Sequence, residues 1–397
     1  FPVKWSFASK PSTFHEDRMK HLLPCLLMIV TAALVSCGYE QKPAITPSGK
    51  TIKVGIIASF SGSDIAKGEE GLKGIKTVIK MQPLLDNGDR IELIVRDGQD
   101  DPVKAVKHLQ ELVETEHVAA VMTFSSSGPV LAMAGIAESL KTPILATRAT
   151  HPDITKNNGY VSQICYDNIF QGRVAALFVR DELIVDKVAV FKTPSSFYSS
   201  SLAAEFEGKF TSLGGRITDV IALPDEPTNV GEMLKGVRQN DPELLYLPVA
   251  AKDVITIIQE IDRMGWQPYL MGSDGLLATV MSEYKEQLEL LDGLLVTEFF
   301  HHTSRLTSFG LRVRKTYRGK LTSYTILSAE GFAILLDAMN RCDGAADREC
   351  INRQIRSTSN FEGYLGYISI DSDGKAQRPL VVNAIKDGKS EYIVKVY

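Results

Sequence analysis

From Thr51 onward, the chain alternates short apolar runs rich in β-branched residues with segments whose apolar residues recur at helical spacing. The first runs predict strands at 52–58, 91–95, 119–123 and 143–146. Helices are predicted between them, through 72–79, 106–113 and 130–140. Strands that alternate with helices of this length form a parallel sheet covered on both faces, so the sequence predicts an α/β fold.

A second series of the same kind begins near Ile169. It predicts strands at 187–191, 216–221, 244–248 and 269–271, separated by helices at 199–213, 230–238 and 252–264. The C-terminal strands, at 367–371, 380–385 and 392–396, are joined by the hairpin turns Asp373-Gly374 and Asp387-Gly388. Because no flexible linker separates the two series, we expect two doubly wound lobes joined by a tight hinge near 163–172.

The N-terminal region has a different character. Residues 1–18 show no sustained periodicity, and we interpret them as a non-native segment upstream of a start at Met19. An apolar run at 22–35 is too short to span a bilayer but has the length of a signal-peptide core. The sequence therefore predicts a signal peptide at 19–36.

The signal ends in Leu34-Val35-Ser36-Cys37, which resembles the lipobox of bacterial lipoproteins. The resemblance implies that Cys37 is lipidated and anchors the chain to a membrane, with residues 37–50 as a tether rich in Pro, Gly and Ser. Gly38 is not the aspartate associated with inner-membrane retention, so an outer-membrane location is favoured in a Gram-negative host. The alternative is a buried cysteine at the end of an apolar segment.

Composition and motifs argue against several functions. The 397 residues include 44 Lys+Arg and 48 Asp+Glu, for a net charge of −4, which lacks the basic excess that nucleic-acid binding needs. The sequence contains none of the esterase, P-loop, zincin or dinucleotide-binding signatures. His301 and His302 are adjacent and would point to opposite faces of a strand, which disfavours a shared metal. We expect no enzymatic activity, no cofactor and no metal.

Polar turns follow two of the predicted strands, where ligands of open α/β sheets bind. Ser125-Ser126-Ser127-Gly128-Pro129 opens a helix, with Pro129 suited to its first position and Ser or Gly to the cap. Hydroxyl and N–H groups at a helix N-terminus predict a carboxylate site, although an ordinary helix cap has the same residues. Thr147-Arg148-Ala149-Thr150-His151 adds a second donor-rich turn at the same edge.

The segment 126–155 resembles the leucine/isoleucine/valine-binding family, the type I periplasmic solute-binding proteins of ABC transporters. The resemblance covers nearly all of 51–397 and includes the turn at 59–62 and the segments 96–102, 270–275 and 361–374. It implies two α/β lobes joined by three crossovers. The implied lobes comprise 51–168 with 299–360, and 169–298 with 361–397.

The resemblance also assigns binding roles by position. The carboxylate-binding serine falls on Ser127, the turn that donates to the ligand falls on Arg148 and Thr150, and the acid that receives an ammonium falls on Asp274. Tyr198 matches an aromatic that packs on the ligand, with a spacing difference of one residue. These roles imply a zwitterionic amino acid, since each charge must be paired once it leaves water. Taken alone, Asp274 equally fits a turn residue after a short strand.

Three positions depart from the family pattern. Lys67 and Ala250 stand where aromatics are usual, and Arg148 stands where a small residue is usual. One hypothesis is an acidic ligand, such as a dicarboxylate or an acidic amino acid. The other is that Lys67 and Arg148 point into solvent at the cleft rim.

Three cysteines remain in the mature chain besides Cys37. Cys342 and Cys350 bracket a short turn between helices and are placed to form a local disulfide outside the cytoplasm, the alternative being two reduced thiols. Cys165 has no evident partner.

The resemblance implies a mechanism of hinge closure. The ligand, an amino acid or related carboxylate, binds one lobe and the other closes over it. The closed form is then recognised by the membrane subunits of an ABC permease, which places the protein in the periplasm. The alternative is an envelope lipoprotein that senses a ligand or regulates another protein with the same fold, without transport.

Overall fold

The computed structural model describes residues 5–7, 45–62 and 64–397. The predicted signal peptide, Cys37 and most of the tether lie outside the described residues. Within the described ranges, no helix has both the length and the apolar character needed to cross a membrane.

Strands and helices alternate along most of the chain. The strands are β1 (Trp5–Phe7), β2 (Thr51–Ala58), β3 (Arg90–Asp97), β4 (Ala120–Thr123), β5 (Ile144–Ala146), β6 (Val161–Gln163), β7 (Lys187–Lys192), β8 (Arg216–Ala222), β9 (Leu244–Leu247), β10 (Tyr269–Gly272), β11 (Leu295–Glu298), β12 (Phe361–Glu362), β13 (Tyr367–Ile370), β14 (Ala376–Gln377), β15 (Leu380–Lys386) and β16 (Lys389–Val396). The helices are α1 (Ile65–Met81), α2 (Pro102–Glu114), α3 (Ser127–Leu140), α4 (Asn168–Leu177), α5 (Phe197–Ser212), α6 (Val230–Gln239), α7 (Ala251–Arg263), α8 (Leu276–Glu283), α9 (Ser308–Thr316), α10 (Ser323–Asn340) and α11 (Arg348–Arg356).

Local sequence explains how these elements begin. At α2, the Asp101 side chain accepts a hydrogen bond from the Lys104 N–H at 2.8 Å, and Pro102 occupies the first helical position. Both residues are favoured at a helix N-terminus. The aspartate accepts a hydrogen bond from an N–H that has no partner within the helix, and proline has no N–H that would need a partner. The side chains of Leu109 and Leu112 are buried, so one face of α2 packs against the core.

The first sheet is fully parallel, in the order β3-β2-β4-β5-β6. Ile56 and Ile57 of β2 are both completely buried, but they belong to two different core clusters. Neighbouring strand residues point to opposite faces, so both faces of this sheet are covered, as predicted.

The second sheet is mixed, in the order β1-β16-β15-β11-β10-β9-β7-β8. Its strands β7 to β11 are parallel, whereas β15, β16 and β1 add antiparallel pairings at one edge. The turn between β15 and β16 places both Asp387 and Gly388 at positive φ, 50° and 65°, which the short hairpin requires. The predicted α/β class and the predicted hairpin at Asp387-Gly388 are confirmed, whereas the Asp373-Gly374 turn joins β13 to the short β14 rather than to β15.

The chain passes between the two sheets three times. We call residues 164–167 the first crossover, 299–307 the second and 378–379 the third, because each joins an element of one core to an element of the other. The sequence-based grouping assigns 361–397 to the second lobe. The side chains of Tyr364, Ile368 and Ile370 nevertheless pack with α10 in the core of the first sheet, so the last passage comes after β14.

Two strands that position the site have no counterpart in the sequence-based prediction. These are β6, which is three residues long and carries Ser162 and Gln163, and β11, which ends in Glu298. Strands this short that contain polar residues show no regular apolar/polar alternation, so the sequence pattern does not predict them. Both strands are nonetheless buried along their whole length.

Candidate ligand-binding cleft

The carboxyl-terminal ends of the parallel strands of both sheets face a common cleft with a cavity volume of about 510 Å³. Turns that follow strands supply most of its walls, as expected for an open α/β sheet. The predicted site residues that line it are Lys67, Ser127, Arg148, Tyr198, Ala250 and Asp274. The structure therefore brings together six of the seven predicted positions.

Thr150 is the predicted residue that does not line this cleft. Its side chain is completely buried, and its hydroxyl has no hydrogen-bond partner among the described residues. Its backbone carbonyl accepts a hydrogen bond from the Asn168 N–H at 2.8 Å. In this structure Thr150 holds the start of α4 near the first sheet.

The serine turn is arranged differently from the prediction. Helix α3 begins at Ser127, with Ser126 as its cap, rather than at Pro129. The Ser126 N–H donates to Asp100 Oδ1 at 2.7 Å and so is not free for a ligand. Ser127 Oγ accepts from the His151 N–H at 3.3 Å, so the Ser127 hydroxyl can still donate to a ligand.

A cluster of three charged side chains forms the first-lobe wall, and we call Asp64, Lys67 and Arg148 the Asp64 cluster. Asp64 Oδ1 lies 2.6 Å from Lys67 Nζ, and Asp64 Oδ2 lies 2.9 Å from Arg148 Nη1. The side chains of Lys67 and Arg148 are only 17% and 19% exposed. The interpretation that these two cations point into solvent is therefore wrong, because both turn inward to share one carboxylate.

The electrostatics of the Asp64 cluster follow from this geometry. Burial alone would raise the pKa of Asp64, but the charges of Arg148 and Lys67 outweigh it and lower the pKa to about 2. Burial, and then the nearby charge of Arg148, lower the pKa of Lys67. Burial also acts to lower the pKa of Arg148, but the charges of Asp64 and Asp100 raise it overall. With a pKa of about 2, Asp64 is ionised at neutral pH.

Arg148 is held in place by more than its ion pair. Its Nη1 donates to the Phe124 carbonyl at 3.2 Å, and its guanidinium carbon lies 5.9 Å from the ring centroid of Tyr324. A guanidinium has five N–H donors, so these contacts leave donors for an anion in the cleft.

The second-lobe wall carries an acid supported by a phenol. Tyr198 Oη lies 2.7 Å from Asp274 Oδ1 and 2.8 Å from Ser273 Oγ. Burial raises the pKa of Asp274, and the hydrogen bond from Tyr198 partly offsets that effect. Ala250, at the cap of α7, places only a methyl group at the edge of this wall and leaves room beside Asp274 and Tyr198.

The two walls also contact each other. Tyr324, on α10, donates from its hydroxyl to the Gly275 carbonyl at 3.2 Å and lies 3.1 Å from Thr279 Oγ1. The rings of His151 and Phe197 meet edge to face, with centroids 6.1 Å apart. These contacts join the two lobes.

Sequence reasoning missed several polar residues of the cleft, among them Asp64, Asp100, Glu283 and Tyr324. The one signal available was the spacing of Asp64 and Lys67, which lie three residues apart at the start of α1. Glu283 lies on α8, and its negative charge acts on Lys67 across the cleft.

The arrangement is suited to binding. Hydroxyls and a guanidinium face an acid and a phenol across a cavity of small-molecule size. In the described part of the chain, no group of His, Cys, Asp and Glu side chains is placed to hold a metal ion.

Comparison with known proteins agrees with this geometry. The family described as periplasmic binding protein matches residues 51–389. A protein named amino acid binding protein, from Pseudomonas aeruginosa, is 20% identical over 295 residues, which cover 73% of this chain and 78% of that protein.

Solved structures share the fold. The leucine-binding protein LivK from Thermotoga maritima has a TM-score of 0.79 at 26% identity, over 87% of this chain and 98% of that one. LivJ from Streptococcus pneumoniae, a branched-chain amino acid transporter substrate-binding protein solved with isoleucine, has a TM-score of 0.78 at 22% identity, over 88% and 99%. The chain therefore belongs to the periplasmic binding protein family, has the type I fold of LivK and LivJ, and is a binding protein rather than an enzyme.

Proposed function

We propose that this protein captures an amino acid, or a similar small carboxylate, between its two lobes and delivers it to an ABC permease. The observation that carries the proposal is the separation of charge across the cleft. Donors at Ser127 and Arg148 form one wall, and the Asp274 and Tyr198 pair forms the other. A zwitterion placed between them has both of its charges paired.

Each predicted binding residue takes a role in this proposal. The ligand carboxylate accepts hydrogen bonds from the Ser127 hydroxyl and the Arg148 guanidinium, and the ligand ammonium donates to Asp274. Tyr198 fixes the Asp274 carboxylate through its 2.7 Å hydrogen bond. Lys67 acts through Asp64, and Ala250 leaves space for the ligand side chain. Thr150 supports the turn that carries Arg148.

The pairing within the Asp64 cluster favours a ligand with a single carboxylate. Lys67 and Arg148 share Asp64, and Lys67 is also close enough to Glu283 to be affected by its charge. The two cations that suggested an acidic ligand are therefore already compensated within the protein. A second carboxylate on the ligand would have to compete with Asp64 for them.

A thermal-shift panel tests the ligand class. We expect neutral L-amino acids to raise the melting temperature, and L-glutamate and L-aspartate to do so less, because a ligand that binds the folded state stabilises it. Calorimetry then measures Kd for the compounds that give the largest shifts. Native mass spectrometry of the purified protein detects a ligand that remains bound.

An Asp274→Asn variant provides the specificity control. It should remove the stabilisation by amino acids, whereas Asp241→Asn, which replaces an exposed acid outside the cleft lining, should retain it. Stabilisation by L-glutamate and not by L-leucine would reject the single-carboxylate version. A panel in which no amino acid or small carboxylate stabilises the protein would reject the proposed function.

Anchoring is proposed to act through Cys37, with the tether holding the lobes outside the cytoplasm near the permease. Two or more acyl chains give stable membrane attachment. In a host that processes lipoproteins, the wild type should partition into the detergent phase and Cys37→Ala into the aqueous phase. Equal partitioning of the two forms would reject lipidation at Cys37.

Delivery to a permease is tested by uptake. Cells that lack the protein should lose uptake of the ligand identified in the panel, and wild type should restore it while Asp274→Asn does not. Normal uptake in the deletion strain, together with ligand binding in vitro, would instead favour the sensing or regulatory alternative.

A further inference from the structure

A second acid, Glu298, ends β11 and lies at the same sheet edge as Asp274. Strands β10 and β11 are parallel neighbours, with Gly272 opposite Val296. Asp274 and Glu298 each follow that pair by two residues, so both are at the same sheet edge. The Glu298 side chain is nine-tenths or more buried, since the whole residue is only 3% exposed.

The carboxyl groups of Asp274 and Glu298 have different surroundings. Asp274 accepts a hydrogen bond from the Tyr198 hydroxyl, which stabilises its charged form. Of the described residues, no side chain donates to either oxygen of Glu298. Two buried acids at the same edge of neighbouring strands repel each other when both are ionised, and the proton belongs on the one whose charge no side chain stabilises.

We propose that Glu298 is a positioning residue for cation capture: it holds a proton in the free protein and releases it when Asp274 binds a cationic ligand group. In this step the carboxyl O–H bond of Glu298 breaks and its proton passes to solvent. The ligand cation then compensates the second negative charge. The ligand step of this inference rests on the proposed function, whereas the state of Glu298 in the free protein does not.

The surroundings of Glu298 set the direction of its pH dependence. Burial, and then the negative charge of Asp274, raise the pKa of Glu298 to about 8, although the backbone N–H groups of Gly275, Leu277 and Phe299 oppose the shift. Tyr166 and Tyr324 also interact with Glu298, and burial raises the pKa of both, so they stay neutral near pH 8. Burial raises the pKa of Asp274, and Tyr198 and Arg148 act on Asp274 to lower it. On β15, Val381 is paired with Glu298 and does not titrate.

These relationships determine how the affinity for a cationic ligand group changes with pH. A bound cation favours the ionised form of Glu298 and so lowers its pKa. Affinity for the cation therefore rises as pH increases towards about 8, by about tenfold for each unit that binding lowers this pKa.

The state of Glu298 is measured without a ligand. In protein labelled with ¹³C at the glutamate carboxyl carbons, one resonance should titrate with a midpoint near 8 and be missing in Glu298→Gln. In Asp274→Asn the midpoint should fall, because the charge that raises it is gone. This second variant keeps the test decisive even if Glu298→Gln does not fold.

Proton release is measured with L-leucine as the probe, by calorimetry at pH 7 in two buffers of different ionisation enthalpy. Wild type should release protons on binding, and Glu298→Gln should not. A Glu298 midpoint in the normal glutamate range, or one unchanged by Asp274→Asn, would overturn the inference. If L-leucine does not bind, the result counts against leucine as a ligand, and the titration still decides the role of Glu298.

Discussion

Arg378 Nη1 lies 2.8 Å from Glu330 Oε2, and both side chains are almost completely buried. The same Nη1 donates to the Ile164 carbonyl of the first crossover at 3.1 Å. Its guanidinium also lies 5.4 Å from the ring centroid of Phe299, which begins the second crossover. Arg378 itself starts the third crossover, so one side chain contacts all three passages between the lobes.

Arg378→Met should strongly destabilise the protein. It leaves Glu330 buried without its charge partner, and the loss of one member of a buried pair costs about 3–5 kcal/mol. Urea denaturation measures the free energy of unfolding. The double variant Arg378→Met, Glu330→Gln should be more stable than the sum of the single losses predicts, because it leaves no unpaired charge. Strictly additive losses would contradict this account of the pair.

Asp64→Asn should lower the free energy of unfolding in a pH-dependent way. The pKa of Asp64 falls from 3.8 to about 2 in the folded state, so its contribution is present above pH 3.8 and is lost as the pH falls through 2. The loss at pH 7 should be about 2 kcal/mol. Chemical denaturation at pH 7 and at low pH measures both values.

Asp153→Asn serves as the matched control for this prediction. Asp153 pairs with Lys156 at 3.3 Å, but both side chains are more than half exposed. Exposed pairs contribute about 0–1 kcal/mol, so this variant should change stability little at any pH. A difference between wild type and Asp64→Asn that persists unchanged at low pH would argue against the Asp64 cluster as its cause.

Tyr324→Phe should weaken ligand binding without unfolding either lobe. It removes the hydroxyl that donates from α10 to the Gly275 carbonyl across the cleft, a hydrogen bond made only when the lobes meet. A loss of about 1 kcal/mol corresponds to a Kd increase of about fivefold. Calorimetry with the compound that gives the largest thermal shift measures the change.

Tyr317→Phe is the control for closure. Its hydroxyl lies 3.2 Å from Glu70 Oε2, and both residues belong to the predicted first lobe, so this variant loses a hydroxyl without losing a contact between lobes. Its Kd should match that of wild type. Equal weakening by the two variants would show that Tyr324 does not act through closure.

Cys342 and Cys350 are disulfide-bonded in the structure and should remain linked in the purified protein. Peptide mapping before reduction should find the two linked, and the Cys342→Ser, Cys350→Ser variant should lose about 2 kcal/mol of stability. Cys165 is buried, and its Sγ lies 3.0 Å from the Ala149 carbonyl, so it should react with thiol reagents only after unfolding. Alkylation of Cys342 and Cys350 without a reductant would contradict the bridge.

The sequence predicted the long, regular elements of the fold and less of the cleft. Apolar runs identified β2 and the neighbouring strands, and helical spacing identified the helices between them. Both patterns arise because one or both faces of each element are buried. The turn residues Ser127 and Arg148 were predictable from their places after strands. Asp64 was not, because an acid before a helix has the same pattern whether it caps the helix or reaches Arg148, 84 positions along the chain.

Glu298 is a clearer example of a site residue that the sequence does not predict. It ends a four-residue strand, and nothing in Leu-Val-Thr-Glu indicates a buried acid. Its burial depends on the register of β10 and β11 and on the packing around them, which only the folded chain specifies. Thr150 is the reverse case. Its position after a strand predicted a cleft residue, but its side chain is buried away from the cleft.

The discontinuity of the first lobe has a consequence for how the chain folds. Helix α1 packs against α10, and the core that they share is completed by Ile368 and Ile370. A nascent chain that has reached only the end of the first sheet has α1 but lacks α10, so one face of the sheet is only partly covered. Closing that core requires contacts between residues about 250 positions apart, and such distant contacts form slowly. The lobe made first is therefore among the last parts of the molecule to become stable.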